Sequence, residues 1–277
     1  MGRSWLLVAP ISGFFLLVFV TPLSLLLVIS AFTSRDFEAV GLHQYLEFFS
    51  TRLNLEVLVD TIRLGFSVML VTLFFGYPIA YFFVRASRLA QSILIMIIIT
   101  PLLTSTIVRT FAWIVILGSN GIVGSVVRWL GISDRPYSLL STHIGVVMAA
   151  GQIEMPLMIL PLIAVMSRID HSLIEGSTSL GASEFQTFLH VVVPLSVPGI
   201  VAGCILVFAQ SMSAFVTQTL VGGGRLIYMP FHIYEQAVGL QNWPFAAALC
   251  VILLLSVLCI VTVMTFAGRL LMKGTLA

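Results

Sequence analysis

Two charged side chains interrupt long apolar stretches of this sequence, where they could act on a charged solute. Arg109 and Glu154 both stand in such runs. A charge at the centre of a bilayer costs about 2.5–3.5 kcal/mol on insertion scales, so each should face a partner or a water-filled path. Glu154 also lies two residues before Pro156, which frees backbone carbonyls nearby. Its carboxylate would suit a cationic amine or a zwitterion, or it could pair with Arg109. Arg109 could equally be a structural link to a neighbouring helix.

Sequence motifs of the common catalytic sites do not occur in this chain. A phosphate-binding loop needs G-x-x-x-x-G-K-[ST], and the only lysine, Lys273, follows Met272. Neither H-E-x-x-H nor G-x-S-x-G is found, the histidines are scattered, and the three cysteines lack metal-ligand spacing. We therefore expect no enzyme, no metal site and no cofactor bound by this chain.

The composition is that of a membrane protein. Of the 277 residues, 59% are hydrophobic and 9% are charged, and the mean hydropathy is +1.12. A soluble domain carries roughly 25% charged residues, so this chain has too little polar surface to cover a core in water. The net charge of +2 comes without a basic run, which argues against nucleic acid as a partner. We expect an integral protein of the lipid bilayer.

Six stretches are long enough to cross a bilayer as helices, which takes about 20 apolar residues. They are residues 5–32, 62–84, 92–117, 143–166, 197–221 and 245–268. Lipid cannot satisfy exposed backbone groups, so the spans must be helical, and we predict an all-α polytopic protein with a single domain, 1–277. An even number of spans puts both termini on one side. Positive charges are tied at six on each side, although those flanking the shorter segments favour both termini inside.

Other side chains within the spans could also line a path. The candidates are Tyr81, Trp113, Gln210 and Phe215. Aromatic side chains at helical spacing in a membrane bundle are more often packing residues, so packing is the alternative for each aromatic candidate.

The segment LIEGSTSLGASEFQTFLHVVVPLSVPGI, residues 173–200, is a polar interruption between two spans. Ser172 stands three residues before Glu175, which is the spacing of a capping box at a helix start. From Ile174 to Val192, apolar residues recur at three- and four-residue steps and predict one amphipathic stripe. An apolar stripe on a short hairpin predicts docking into a groove on another protein, and the alternative is an interfacial helix lying on the membrane.

Glycines and prolines shape the same segment. Gly176 and Gly181 would let another chain approach closely, and they weaken the helix by itself. Pro194 and Pro198 are expected to end the run and to start the next span.

The segment resembles the "EAA" signature of binding-protein-dependent ABC importer permeases, which reads E-A-A, three residues, G, nine residues, I-x-L-P. Here Glu175, Gly176 and Ser177 stand at E-A-A, Gly181 follows after three residues, and Pro194 closes the motif at the matching distance. Gly-Ser replaces Ala-Ala, and valines replace the isoleucine and the leucine.

The resemblance covers roughly residues 40–270. The segments DTIRLGFSVMLVTLFFGYPIAYFFVR, PLLTSTIVRTFAWIVILGSNGIVG, MPLMILPLIAVMSRIDHSLIEG and VPLSVPGIVAGCILVFAQSMSAFVTQTLVGG are similar to spermidine/putrescine-type permeases, nearest to the first, PotB-like permease of such systems.

This resemblance implies a type I ABC importer permease with the MetI-like fold in the bacterial inner membrane, with both termini cytoplasmic. Its implied partners are a second homologous permease, expected as a heterodimer, two ATPase subunits that carry ATP and Mg, and a soluble substrate-binding protein. A cytoplasmic coupling helix is implied within residues 168–196. The residues expected to couple to the ATPase are Glu175, Gly176, Ser177, Leu180, Gly181, Ala182, Phe185 and Pro194.

A polyamine or related amine-containing solute is the expected cargo, with opines, iron, amino acids and organophosphonates as alternatives from similar permeases. The main alternative from another class is a secondary, ion-coupled transporter. Such a protein often has broken helices and internal repeats, and its sequence would leave the signature spacing unexplained.

Overall fold

The computed structural model describes residues 4–33, 39–131 and 138–275, and it is built from helices. The helices are α1 Ser4–Ser30, α2 His43–Ser50, α3 Arg52–Arg85, α4 Arg88–Ile99, α5 Thr106–Leu117, α6 Ile122–Trp129, α7 His143–Met166, α8 His171–Ser179, α9 Glu184–Thr187, α10 Val193–Ser213, α11 Phe215–Gly222, α12 Met229–Tyr234 and α13 Trp243–Thr275. A 3-10 turn, Thr100–Leu103, follows α4. A π-helical turn, Phe188–Val192, joins α9 to α10, and a second, Glu235–Gly239, follows α12.

Within the described residues, six helical stretches are long and apolar enough to cross a membrane, which confirms the predicted all-α class with six spans. They are Pro10–Ser30, Arg52–Arg85, Thr106–Trp129, His143–Met166, Glu184–Ser213 and Trp243–Leu270. The first stretch buries almost none of its side chains within the chain. A helix so apolar and so exposed requires lipid or another protein around it.

The predicted third span, residues 92–117, is not one helix in the structure. α4 gives way to the 3-10 turn that contains Pro101, and Thr104 is extended with φ −95° and ψ 139°. Proline has no N–H to continue the helical bonding, and its ring clashes with the preceding turn. The chain therefore breaks inside the predicted span, and the third stretch of spanning length is Thr106–Trp129, which itself bends between α5 and α6.

The second span and the last span are longer than predicted. α3 begins at Arg52 and includes the segment RLNLEVLVD, which is part of the spanning helix because no proline or glycine separates it from the apolar run. α13 begins at Trp243 and continues to Thr275, beyond the predicted end at 268.

The fifth span differs from the prediction at both ends. It begins at Glu184 instead of residue 197, and it stops at Ser213 instead of 221. Ala214 has φ −74° and ψ 73°, outside the helical region, so α10 and α11 are separate helices. Backbone breaks at membrane depth are tolerated where they are buried in protein or line a water-filled cavity.

Described residues of 1–59 and 229–256 form one compact unit. In its interior the His232 Nε2 atom donates to the Asn54 Oδ1 atom at 3.0 Å, and the His232 ring meets Phe245 edge-on. Burial lowers the pKa of His232 against the opposing effect of Glu235. The imidazole therefore favours its neutral form, and the hydrogen bond to Asn54 satisfies one of its nitrogens.

Described residues of 60–228 and 257–277 form the second compact unit, in which α7 is the most buried helix. α7 packs directly against α10, and glycines make the approach close. A Cβ atom on Gly203 would lie 2.7 Å from the Met158 sulfur, and one on Gly199 would lie 3.1 Å from the Pro161 carbonyl oxygen. Small residues at such crossings let the two backbones approach and strengthen packing in membranes.

Candidate functional sites: a docking elbow and a membrane cavity

The polar segment between the fourth and fifth spans folds as two short helices, α8 and α9, joined by a turn. We call residues 170–187 the elbow. α8 begins after Asp170, whose carboxylate accepts from the Ser172 N–H at 2.9 Å. The predicted capping box of Ser172 and Glu175 is therefore wrong, because the helix already starts at His171 and Asp170 takes the capping position.

The turn after α8 depends on one glycine. Gly181 has φ +85°, and the Ala182 and Gly181 N–H groups donate to the Ser177 and Thr178 carbonyls at 3.2 and 2.9 Å. This pair of bonds is a Schellman motif, which places glycine in the left-handed region. The predicted run of one helical stripe from Ile174 to Val192 is therefore divided in two at Gly181.

α9 starts with a capping box that the sequence contains but that we did not predict. Ser183 Oγ accepts from the Gln186 N–H, while Gln186 Oε1 accepts from the Ser183 N–H at 2.8 Å. The signal was the spacing S-x-x-Q directly after the glycine turn. Two reciprocal bonds fix the direction in which α9 leaves the turn.

The tip of the elbow presents apolar side chains outward. Leu180 is 90% exposed and Phe185 is 71% exposed. Exposing such side chains is unfavourable in water, and apolar groups beside charged Glu175 and Glu184 make an amphipathic surface. These features are those of a surface that either another protein or the membrane covers.

Most of the predicted coupling residues lie together on the elbow. Glu175, Gly176 and Ser177 lie in α8, Leu180 to Ala182 form the turn, and Phe185 lies in α9. A Cβ atom on Gly176 would meet no described atom within 4 Å, so the described part of the chain does not require glycine there.

Pro194 lies apart from the elbow, within the continuous fifth span. The predicted start of a helix at Pro194 is confirmed, because α10 begins at Val193 with this proline in its first turn. The predicted stop there is wrong, because the π-helical turn at 188–192 joins α9 to α10 in one continuous stretch. The Val193 N–H reaches back to the Phe188 carbonyl, five residues earlier. This wider turn accommodates proline, which cannot donate the usual bond.

A cavity of about 540 Å³ lies beside the break between α10 and α11. Its lining comes from α5, α7, the 3-10 turn and the broken fifth span. The lining residues are Leu102, Thr106, Arg109, Ile153, Glu154, Leu157, Gln210, Ser213, Ala214, Phe215, Val216 and Thr217. Four of the six predicted path residues, Arg109, Glu154, Gln210 and Phe215, are therefore brought together.

Arg109 and Glu154 do not pair with each other in the structure. The Glu154 Oε2 atom accepts from Ser211 Oγ at 2.5 Å, and Glu154 is only 3% exposed. Arg109 instead donates from Nη1 to the Ile153 carbonyl at 3.1 Å and from Nη2 to the Thr106 hydroxyl at 3.4 Å. The predicted alternative of an Arg109–Glu154 ion pair is thus not realised, although both residues line the cavity.

The other two predicted path residues lie outside the cavity lining. Trp113 is one turn beyond Arg109 on α5, where its Nε1–H donates to Gln152 Oε1 at 3.1 Å. Tyr81 contacts Arg85 and Phe188 next to the π-helical turn. Tyr81 therefore belongs to the attachment of the elbow and not to the cavity.

Sequence analysis missed a buried polar network beside Glu154. Gln218 Nε2 donates to the Ser211 carbonyl at 2.6 Å, and the hydroxyls of Thr110 and Thr217 are 3.2 Å apart. The Gln218 Oε1 atom has no hydrogen-bond partner among the residues that the structure describes. A signal existed in the run QSMSAFVTQT, which is unusually polar for a membrane span. Buried polar groups inside a membrane bundle are characteristic of solute pathways.

Six helical stretches of spanning length among the described residues, with Arg109 and Glu154 on a cavity of the second unit, are the features of a multi-pass membrane permease. The chain belongs to the family described as the binding-protein-dependent transport system inner membrane component, which matches residues 70–272. It is the permease subunit of an ABC importer in the inner membrane, a transport subunit and not an enzyme.

Two relatives share the name "Spermidine/putrescine transport system permease protein PotB". The one from Escherichia coli (strain K12) is 31% identical over 80% of this chain and 80% of its own length. The one from Haemophilus influenzae (strain ATCC 51907 / DSM 11121 / KW20 / Rd) is 30% identical over 85% of this chain and 84% of its own length.

A solved structure has the same fold across almost the whole chain. It is described as a bacterial alginate ABC transporter in complex with an alginate pentasaccharide-bound periplasmic protein. Its matching chain has a TM-score of 0.77 and 18% identity, and the match covers 98% of this chain and 96% of that one. This likeness shows that the two chains share a fold.

Proposed function

We propose that this chain forms half of a translocation path for a polyamine or a related small amine. The observation that carries the proposal is Glu154, a buried carboxyl group on the cavity that accepts a hydrogen bond from Ser211 and forms no ion pair with a cation of the described residues. A buried charge is costly unless it is paired, and a protonated amine passing through the cavity would provide the pairing. The two curated relatives named for spermidine and putrescine support the same solute class.

A second solute class is favoured by Arg109, which lines the same cavity. A guanidinium group binds carboxylates and phosphates well, so a zwitterion such as an amino acid could contact Arg109 and Glu154 together. Opines and organophosphonates carry anionic groups as well. Spermidine gains nothing from Arg109, and this difference separates the two classes experimentally.

The elbow is proposed to be the coupling helix that docks into a groove on an ATPase subunit. Leu180 and Phe185 are the most exposed apolar side chains of its tip, and burying each of them would contribute roughly 1.5–3 kcal/mol. In this arrangement ATP and Mg bind to the ATPase subunits, and this chain holds no cofactor of its own.

The proposed assembly contains a second, homologous permease, expected as a heterodimer, two ATPase subunits and the soluble binding protein. With the elbow on the ATPase, residues 168–196 and both termini are cytoplasmic, and the cavity receives solute from the opposite side. The spans would rock as packed bodies between two arrangements when ATP draws the ATPase subunits together.

Uptake of radiolabelled spermidine by proteoliposomes containing the complete importer, with its binding protein, tests the solute class. We expect Glu154→Gln to lower uptake about 10- to 100-fold, as expected for a lost charge-assisted contact, while assembly is unchanged. The matched control is Glu47→Gln, which alters an exposed carboxylate of α2 outside the cavity lining and the elbow and should leave spermidine uptake unchanged.

Arg109→Gln completes this test. Retained spermidine uptake in Arg109→Gln with loss in Glu154→Gln supports an amine path. Normal spermidine uptake by Glu154→Gln would remove this residue from the path. Binding and uptake of a zwitterion by the parent importer, with loss in both variants, would instead favour the second class.

A further inference from the structure

One face of α3 contacts the π-helical turn at the base of the elbow. Tyr77 and Tyr81 are one helical turn apart, and Phe188 lies edge-on to both, with ring centroids at 5.8 and 5.0 Å and interplanar angles of 83° and 74°. Edge-to-face geometry is the favoured arrangement of aromatic pairs. The Arg85 guanidinium lies 4.4 Å from the centre of the Tyr81 ring. We call Tyr77, Tyr81 and Phe188 the aromatic clamp.

The clamp holds the one position where the fifth span departs from α-helical bonding. Phe188 is the first residue of the π-helical turn, and its carbonyl accepts from the Val193 N–H. A π-helical turn contains one more residue than an α-helical turn and is often found at functional sites. Converting it to α-helix would rotate the elbow relative to α10, because the turn would then contain one residue fewer.

Tyr77 also fixes the other side of this turn. Its hydroxyl is 2.9 Å from Ser196 Oγ, and Ser196 Oγ donates its own proton to the Val193 carbonyl at 2.8 Å. Tyr77 must therefore be the donor to Ser196, because the serine hydroxyl has only one proton. Ser196 is fully buried, so this bond ties α3 to the start of α10.

The elbow is attached directly to the clamp. Ser177 Oγ in α8 is 3.0 Å from Thr187 Oγ1, and Thr187 immediately precedes Phe188. A small cavity of about 40 Å³ lies between Tyr81, Ile174 and Val192. Packed protein interiors leave few such gaps, and this one gives the side chains of the elbow base room to shift against α3.

We propose that Tyr77, Tyr81 and Phe188 are positioning residues that transmit movement of the elbow to the spanning helices. The inference rests on the proposed docking of the elbow on an ATPase. A push on α8 reaches Thr187 through Ser177, turns Phe188 between the two tyrosines, and is passed to α3 and, through Ser196, to α10. Without the clamp the π-helical turn absorbs the movement by a local register change, and the cavity does not respond to ATP.

The test measures the accessibility of the cavity wall to a water-soluble reagent and requires no solute. In the complete importer, Cys204, Cys250 and Cys259 are replaced by alanine and Ser213→Cys places one thiol on the cavity wall. The rate of reaction with a water-soluble maleimide is compared without nucleotide and with ATP and vanadate. Phe188→Leu removes the clamp ring, and Tyr77→Phe removes only the bond to Ser196. Phe82→Leu, on an exposed position of α3, is the matched control.

We expect ATP and vanadate to change the labelling rate at least about fivefold in the parent and in Phe82→Leu, within the usual range of allosteric coupling. In Phe188→Leu the change falls below about twofold while ATPase subunits still co-purify and hydrolyse ATP, and Tyr77→Phe gives an intermediate change. A full nucleotide response in Phe188→Leu would overturn the clamp. Loss of the ATPase subunits in Phe188→Leu alone would also overturn it, since the residue would then act in docking. Absence of ATPase subunits from the parent complex would instead refute the proposed docking.

Discussion

The docking elbow is held together by contacts between close neighbours in the sequence, whereas the membrane cavity is assembled from helices far apart in the chain. Asp170 caps α8 through Ser172, and Ser183 caps α9 through Gln186. In the cavity region, Glu154 is bonded to Ser211, and Thr110 meets Thr217. The elbow directs apolar side chains outward, and the cavity directs charges inward. This difference separates a surface suited to a protein partner from a site suited to a small charged solute.

The largest effect on ATPase retention is expected when the apolar side chains at the tip of the elbow are replaced. The double variant Leu180→Asp and Phe185→Asp should lower the amount of ATPase retained on the affinity-purified permease by at least about a hundredfold, because buried apolar anchors dominate such interfaces. Quantitative immunoblotting of the purified complex measures this ratio. Both residues are exposed in the chain, so its own fold should tolerate the changes, and undiminished ATPase retention would separate the elbow from docking.

A smaller effect is expected from the turn that orients this tip. Gly181→Val forces a β-branched residue into φ +85°, at a cost of about 1–3 kcal/mol. ATPase retention should fall about tenfold. Gly176→Ala is the matched control, because its added Cβ atom would meet nothing within 4 Å and alanine favours helix by about 1 kcal/mol. Equal losses in the two variants would show that α8 and not the turn geometry is critical.

A change confined to the cavity should lower solute uptake without affecting ATPase retention. Ser211→Ala removes the hydroxyl that donates to Glu154, which we expect to lower spermidine uptake about fivefold, as for a typical buried hydrogen bond of about 1 kcal/mol. ATPase retention should stay at the parent level in the same preparation. A parallel fall of uptake and retention would contradict the separation of the two regions.

The smallest effect is expected at the cap of α9. Ser183→Ala removes one half of the capping box, which is worth about 1 kcal/mol in typical helices. ATPase retention should fall only two- to fivefold or so, and Ser183→Asp, which can still cap the helix, should restore it. Failure of the aspartate variant to restore retention would mean that the hydroxyl acts in some way other than capping.

The position of the elbow in the chain could be predicted from the sequence, but its internal geometry was predicted less accurately. The signature spacing from Glu175 to Pro194 identified the segment, and the S-x-x-Q spacing of α9 was readable but overlooked. The stop predicted at Pro194 was wrong, because a π-helical turn lets the helix continue through the prolines. Such a turn depends on the side chains packed around it, including Tyr77 and Tyr81, which no local pattern reveals.

The cavity was only partly predictable for the same physical reason. Charged residues in apolar runs identified Arg109 and Glu154, because their cost in lipid makes them conspicuous. Their hydrogen-bond partners could not be predicted from the sequence, since Ser211 contacts Glu154 only when α7 and α10 pack together. The helix break at Ala214, which lies in the cavity lining, could not be predicted because neither adjacent residue is proline or glycine.

Site-specific crosslinking from the elbow tip tests the central claim most directly. In the complete importer with its native cysteines replaced by alanine, Leu180→Cys carrying a photoactivated crosslinker should capture an ATPase subunit. The same probe at Trp129→Cys, an exposed position at the end of α6, should capture none. We predict a product between permease and ATPase from position 180 alone. Its absence there in an importer that hydrolyses ATP, or its equal formation from position 129, would contradict the account.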